Sequence, residues 1–253
     1  MNNILQNDYT TLVNDILKLA KSKGCDQAEA SASLSSGLAV NVRKQEVDTI
    51  EFDRAKGVGI TVYFGKKKGS ASTSDLTKQS IQETVDKACS LAHLMASDEY
   101  CGLADADLMA YDYKKYDFDL FHPWQIQADD AKSLALECEQ YGLDFSSKIT
   151  NSDGCEVHTS NGTSVYGNSH GFVGEYSGSK HSISCTLISG NQDRMQRNYH
   201  YSTARLADNL ESIKLIGELA AEKTLARLNP RSVKTQKSQI LFSPEMARGR
   251  SEE

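Results

Sequence analysis

Histidine is the first residue type here to weigh for chemistry. His158, His170, His181 and His200 fall in the second half of the chain and could converge on a metal, because neutral imidazole is a common metal ligand. A zinc hydrolase helix carries His-Glu-x-x-His, which sets two imidazoles on one ion and leaves the Glu to activate water. No histidine in this chain is followed by Glu. Ser177 and Lys180 lie three apart in Ser177-Gly178-Ser179-Lys180, the spacing of a serine-lysine nucleophile, but in a turn rather than on the helix such a dyad needs. Gly57-Val58-Gly59 lacks the third glycine and the following helix of a dinucleotide fingerprint.

Cys25, Cys89, Cys101, Cys138, Cys155 and Cys185 contain no Cys-x-x-Cys pair, so neither a zinc knuckle nor a redox motif is written in the chain. Cys89, Cys138 and Cys185 occupy apolar or strand-internal positions and read as small buried hydrophobes. Asn168, Ser169 and His170 are the best sequence-level candidates for substrate contact, since a glycine-flanked backbone lets a peptide approach closely. No catalytic, cofactor or metal residue is assigned.

A repeated module must position these groups. The first copy begins with an amphipathic helix bearing Leu12, Val13, Ile16, Leu17 and Ala20 on one face and stopping at Gly24, a left-handed cap. Strands are predicted at 29–34, 38–43, 47–52, 58–64 and 70–74, with turns at Ser35-Ser36-Gly37 and 65–69. Val58, Ile60, Val62 and Phe64 alternate with Gly59, Thr61 and Tyr63, the pattern of a sheet covered on one face. A second helix, 78–95, uses Asp75 or Thr77 as N-cap.

The second copy opens with Asp129 and Asp130 in the first turn of a helix, where carboxylates complement the dipole. Ser160-Asn161-Gly162-Thr163 predicts a two-residue hairpin, because Asn-Gly accepts positive φ. Further strands are expected at 165–167, 172–176, 182–188 and 197–203, with a turn at Ser189-Gly190-Asn191. A helix through Ile213, Ile216, Leu219, Ala220 and Ala226 ends before Pro230. The expected class is α+β: two helix, antiparallel meander, helix modules with helices on one face. The modules span 1–96 and 126–229, with a connector at 97–125 and the start of a truncated C-terminal β-rich domain at 230–253. The connector carries Tyr100, Tyr111, Tyr113, Tyr116, Phe118, Phe121 and Trp124, rings that pin it down or offer a peptide-binding surface.

The balance of charge narrows the partners. A net charge of −6 argues against a nucleic acid, whose phosphates call for a basic stripe. The one dense basic run, Lys66-Lys67-Lys68, reads as a solvated hairpin tip. No apolar run approaches the roughly 18 residues of a membrane span, and no apolar leader precedes a cleavage site. A reduced cytoplasmic setting is expected.

Three stretches carry a resemblance. They are Glu46-Val47-Asp48-Thr49-Ile50-Glu51-Phe52, Gly57-Val58-Gly59-Ile60-Thr61-Val62-Tyr63 and Lys68-Gly69-Ser70-Ala71-Ser72-Thr73-Ser74-Asp75-Leu76. Together they resemble the N-terminal domain of the TldD/PmbA metallopeptidase family, also called the modulator-of-DNA-gyrase family. Asp119-Leu120-Phe121-His122-Pro123 and Val165-Tyr166-Gly167-Asn168-Ser169-His170-Gly171-Phe172 look like its PmbA (TldE) branch. The likeness runs over about residues 8–247.

It implies a cytoplasmic partnership with a TldD-type subunit that cleaves peptides and unfolded proteins, including precursors of peptide antibiotics. In the family, zinc and the catalytic Glu sit in a His-Glu-x-x-x-His motif on the TldD-type subunit. The matching residues here are Pro244-Glu245-Met246-Ala247-Arg248-Gly249, and neither histidine place holds a metal ligand. The resemblance therefore implies a non-catalytic subunit, with no cofactor of its own and zinc on the partner. An interaction module without enzymatic role and an autonomous hydrolase are the alternatives. Residues 239–242 are expected to form a lone strand with unpaired edges, in a tail that is poorly ordered.

Overall fold

The computed structural model describes residues 2–191 and 194–250. Helix α1 (Asn2–Ser22) leads into strands β1 (Gln27–Arg43), β2 (Glu46–Phe64) and β3 (Lys67–Thr73), followed by α2 (Lys78–Leu94). After the connector the order repeats: α3 (Ala128–Asp144), β4 (Ile149–Asn168), β5 (Val173–Ser189), β6 (Gln196–Ala204) and α4 (Ile213–Leu225). A short helix α5 covers Pro244–Arg250. No helix among the described residues is long and apolar enough to cross a membrane.

The two modules join into one antiparallel sheet of order β3-β2-β1-β4-β5-β6. The seam is β1 against β4, running from Glu29↔Asn168 to Val42↔Cys155. Each module's first strand thus meets the other's, and the halves are related by an approximate two-fold axis through the seam. All four long helices lie on one face. Ala28, Ala30, Ala32, Val58, Ile60 and Val62 pack under α1 and α2 with Val13, Ile16 and Val85. Val157, Ile183, Cys185 and Leu187 pack under α3 and α4 with Ala135, Cys138 and Ile216.

The cores exchange residues across the seam. Val165 of β4 sits under α1, while Leu38, Val40 and Val42 of β1 sit under α3. That exchange needs strands longer than the sequence suggests. β1 runs through Ser35-Ser36-Gly37 without turning, because Ser35 pairs with Ala55 on one side and Gly162 on the other. Asn161-Gly162 is likewise mid-strand, pairing with Ser36 and Ser35 and with Ser179 and Gly178. Ladder hydrogen bonds on both sides outweigh these local turn signals.

The actual turns lie elsewhere. Lys44 and Gln45, with φ of 56° and 61°, close β1 to β2, and both have the positive φ of a two-residue hairpin turn. The predicted helix ends fare better: Gly24 has φ 84°, and the Thr77 hydroxyl accepts the Ser80 N–H at 3.4 Å as N-cap of α2. The lysine run is only partly a solvated tip. Lys66 Nζ donates to the Cys101 carbonyl and Lys67 Nζ to the His93 carbonyl in the last turn of α2, a favourable place for a cation. Residues 239–242 form no strand; they lead, exposed, into α5.

Candidate functional site

A sheet edge can recruit an extended chain, since its backbone groups on one side lack strand partners. This sheet has two such half-edges, related by its approximate symmetry. β3 pairs only with 58–64 of β2, and β6 pairs only with 181–189 of β5. The first half of β2, 46–57, and the first half of β5, 173–180, extend beyond their neighbours.

The chain covers one half-edge itself. The connector runs along β5, where the Leu120 carbonyl accepts the Ser179 N–H at 2.8 Å and the Tyr113 hydroxyl accepts the Glu175 N–H at 3.1 Å. Tyr111 and Tyr113 pack on Phe172, each with ring centroids 5.9 Å apart. Between connector and strand lies a groove of about 940 Å³ lined by Tyr116, Phe118, Phe121, Tyr166, Phe172 and Tyr176, with Lys114, Asp117 and Glu175 among its polar neighbours. Phe118 and Tyr176 are 66% and 62% exposed, so their rings are available to a ligand.

The other half-edge, in β2, has no strand on its outer side among the described residues. Val47 and Ile50 are exposed there, and Phe52 is 73% exposed. Three apolar side chains on an open edge are a liability unless something pairs with them.

The open face near the seam is polar. Glu29 accepts hydrogen bonds from Tyr63 at 2.9 Å and Tyr166 at 2.8 Å. Burial first, and then the Glu29 carboxylate, push the Tyr63 phenol well above its ordinary pKa.

Asn168, Ser169 and His170 form the turn from β4 to β5; the polar groups of Asn168 and Ser169 are engaged in holding it, while the His170 ring Nε2 is buried without a hydrogen-bond partner among the described residues. Asn168 is 2% exposed; its N–H donates to Phe172, its Oδ1 accepts from the His170 N–H, and its Nδ2 reaches Met109 Sδ. The Ser169 N–H donates to the Ala28 carbonyl, and its hydroxyl oxygen accepts the Ala28 N–H. None of the three lines the aromatic groove. Gly167-Asn168-Ser169-His170-Gly171 also reads as Gly-x-Ser-x-Gly, but it joins two strands, whereas a nucleophile elbow needs a strand leading into a helix.

The histidines do not converge. His181 is fully buried and locked, with Nδ1 2.8 Å from the Thr159 hydroxyl and Nε2 donating to the His122 carbonyl at 2.8 Å. His200 lies between Glu211 and Lys223, 2.7 Å from each. Ser177 and Lys180 fall on opposite faces of β5 by strand alternation, so no dyad forms. The residues that the resemblance sets against the zinc motif supply no imidazole: Pro244 and Gly249 have no ligating side chain, and Glu245 faces the Tyr201 hydroxyl at 3.5 Å.

One grouping of three metal-capable side chains exists among the described residues: Cys138, Cys155 and Cys185, all buried. The spacing in sequence hid it, because the sheet register brings the sulfurs together. S–H donation from Cys155 and Cys185 pulls the Cys138 thiol below its ordinary pKa, and the same contact pushes Cys155 up.

Comparisons with known proteins agree with this architecture. Residues 28–92 match the family model "PmbA/TldA metallopeptidase domain 1", and residues 121–228 match "PmbA/TldA metallopeptidase central domain". The metalloprotease PmbA homolog of Haemophilus influenzae is 39% identical over 94% of this chain and 52% of its own length. Metalloprotease PmbA of Escherichia coli O157:H7 is 38% identical over the same shares. The chain thus spans about half the length of the curated relatives it matches.

Solved structures share the fold. A protein described as a modulator of DNA gyrase from Bacteroides thetaiotaomicron superposes with TM-score 0.78 at 23% identity, over 88% of this chain and 51% of the other. TldE from Thermococcus kodakarensis superposes with TM-score 0.67 at 15% identity, over 85% and 47%. By its two matched domains and its relatives, this chain belongs to the PmbA/TldD metallopeptidase family.

Proposed function

We propose that this chain acts as the non-catalytic, PmbA/TldE-type subunit of a heterodimeric zinc metallopeptidase, paired with a TldD-type subunit that carries the metal. Its substrates are peptides and unfolded proteins, peptide-antibiotic precursors among them. The setting is cytoplasmic, consistent with six cysteines that are all free thiols. The observation that carries the reading is the residue set at the motif position. Pro244 and Gly249 stand where zinc-binding imidazoles would be required, and Glu245 without a metal-bound water has no hydrolytic role.

The half-edges support a contribution by pairing. Backbone hydrogen bonds along a strand edge bind any extended segment, which suits a peptidase of broad substrate range. The β5 half-edge already holds an extended connector, and the β2 half-edge offers the equivalent surface to a partner or substrate.

The test is affinity purification of the chain from its native cells, with mass spectrometry of co-eluting proteins and a zinc assay on the same fraction. Recovery of a relative bearing His-Glu-x-x-x-His, with zinc and peptidase activity following that relative, is expected. Zinc and peptidase activity that stay with this chain after the relative is removed would sink the proposal.

A further inference from the structure

The sulfurs under α3 and α4 form a set that the peptidase reading does not use. Cys155 and Cys185 are directly opposed across β4 and β5, and α3 lays Cys138 over them. All three are 0% exposed, none is in a disulfide, and their Sγ atoms lie within 4.8 Å of one another. An ion bonded to three sulfurs at about 2.3 Å each spaces them about 4 Å apart in a trigonal plane and about 3.4 Å apart when the centre is pyramidal. Closing this trio on one ion thus takes side-chain movements of less than about an ångström.

Two features select the ion. The first is coordination number. The neighbours in this core are apolar, among them Val157, Ile183 and Ala221; of the carboxylates adjacent in sequence, Glu137 and Glu156 are exposed, and Glu139 has its oxygens engaged by the N–H groups of Lys44 and Gln45. Among the described residues no fourth His, Cys, Asp or Glu joins the group, whereas structural zinc is almost always four-coordinate. The second is charge. Three thiolates on a divalent ion leave a net negative complex buried beside the Glu139 carboxylate, which is itself 0% exposed, and a low-dielectric site penalises that. On a trivalent ion the complex is neutral.

We propose that Cys138, Cys155 and Cys185 form a three-thiolate binding site for a trivalent, thiophilic species of the arsenous acid class. Binding is an exchange without redox change. Three arsenic–sulfur bonds form as three arsenic–oxygen bonds break, each thiol proton leaves with a hydroxide as water, and arsenic stays trivalent. Loading requires local opening of α3 from the sheet, so uptake is slower than reaction at the half-exposed Cys101. Once bound, the ion ties α3 to β4 and β5.

The test uses the reduced full chain, incubated with sodium arsenite and desalted. One arsenic per chain, three sulfur neighbours and no oxygen in the X-ray absorption spectrum, and a raised melting temperature are expected. Cys155→Ser and Cys185→Ser should each lower retained arsenic to background. Because those variants can lose stability, a combined Cys25→Ser, Cys89→Ser, Cys101→Ser chain serves as the second arm and should retain one arsenic. Loss of arsenic from that chain, oxygen in the coordination shell, or retention by a folded trio variant would overturn the site. Cadmium ion displacing arsenite from the loaded protein would overturn the charge argument and the assignment with it.

Discussion

The Glu139 carboxylate on α3 accepts the backbone N–H of Gln45 at 2.7 Å and that of Lys44 at 2.9 Å, while Gln45 Nε2 donates back to it at 3.0 Å. A fully buried acid of the second module thereby holds the hairpin turn of the first. Hydrogen bonds to a charged acceptor are worth more than neutral ones, and orphaned donors are costly. Glu139→Ala should lower unfolding free energy by about 2–3 kcal/mol and Glu139→Gln by about 1–2 kcal/mol. The exposed neighbour Glu137→Gln should change it by less than about 0.5 kcal/mol. Urea denaturation of the three variants measures this; equal effects at 137 and 139 would refute the clamp.

The same turn stores backbone strain that a single substitution can release. Lys44 has φ 56° and is exposed, a left-handed conformation costing about 1–2 kcal/mol for most L-residues. Asparagine tolerates it better, so Lys44→Asn should raise stability by about 0.5–1 kcal/mol. Thermal melting shows the sign directly, and a lower melting temperature would contradict the assigned turn.

How much of this could be read from the chain follows from what each feature depends on. Helix faces such as Val13, Ile16 and Ala20 were legible, because a 3.6-residue period needs only local order. So was the alternation of Val58, Ile60 and Val62. The long strands were not, because Ser35-Ser36-Gly37 and Asn161-Gly162 look like turns until the ladders on either side claim their backbone. Of the site, the connector's rings were visible as a cluster, but the edge they line was not. Glu139 and the sulfur trio were hidden for a common reason. Their partners are set by register across the sheet and by helix docking, which no short motif encodes.

Helix and sheet contacts in the two modules each depend on one small residue. A Cβ at Gly217 of α4 would fall onto the Cys138 carbonyl and the Gly142 backbone N of α3, and one at Gly69 of β3 would fall onto the Ala88 carbonyl and Ala92 backbone of α2. Backbone atoms cannot move aside as side chains do. Gly217→Ala and Gly69→Ala should each destabilise by about 1–3 kcal/mol. Calorimetry of the two variants tests this; a neutral Gly217→Ala would mean that the helices do not approach this closely.

Alkaline pH should act through Tyr63. Its phenol has a raised pKa in the folded chain, from burial and from the Glu29 carboxylate, so the folded state holds its proton longer than the unfolded state does. The resulting stability is fully present below the unfolded tyrosine value of about 10 and is lost as pH rises above it. Tyr63→Phe removes that titration, so its stability should fall less steeply between about pH 10 and 11. Parallel denaturation curves across that window decide the matter, and identical slopes would refute the linkage.

The open half-edge of β2 gives the sharpest test of pairing, because its outward side chains contribute little to the fold. Ile50 and Phe52 are 43% and 73% exposed, and the strand is held from its other side by Asn41↔Thr49 and Gly37↔Asp53. Replacing both residues with lysine places charge where natural edges place it to block strand addition. The variant should keep its stability to within about 1 kcal/mol, since surface changes away from special features rarely cost more than about 0.5 kcal/mol each. It should nonetheless lose at least about tenfold in affinity for a motif-bearing partner or an extended peptide, because burying a charged side chain against an incoming strand is penalised. Fluorescence anisotropy and analytical ultracentrifugation separate the two effects. Unchanged binding by a folded Ile50→Lys, Phe52→Lys chain would move the interface to the aromatic groove along β5, where Phe118→Ala and Tyr176→Ala would then be the variants that weaken it.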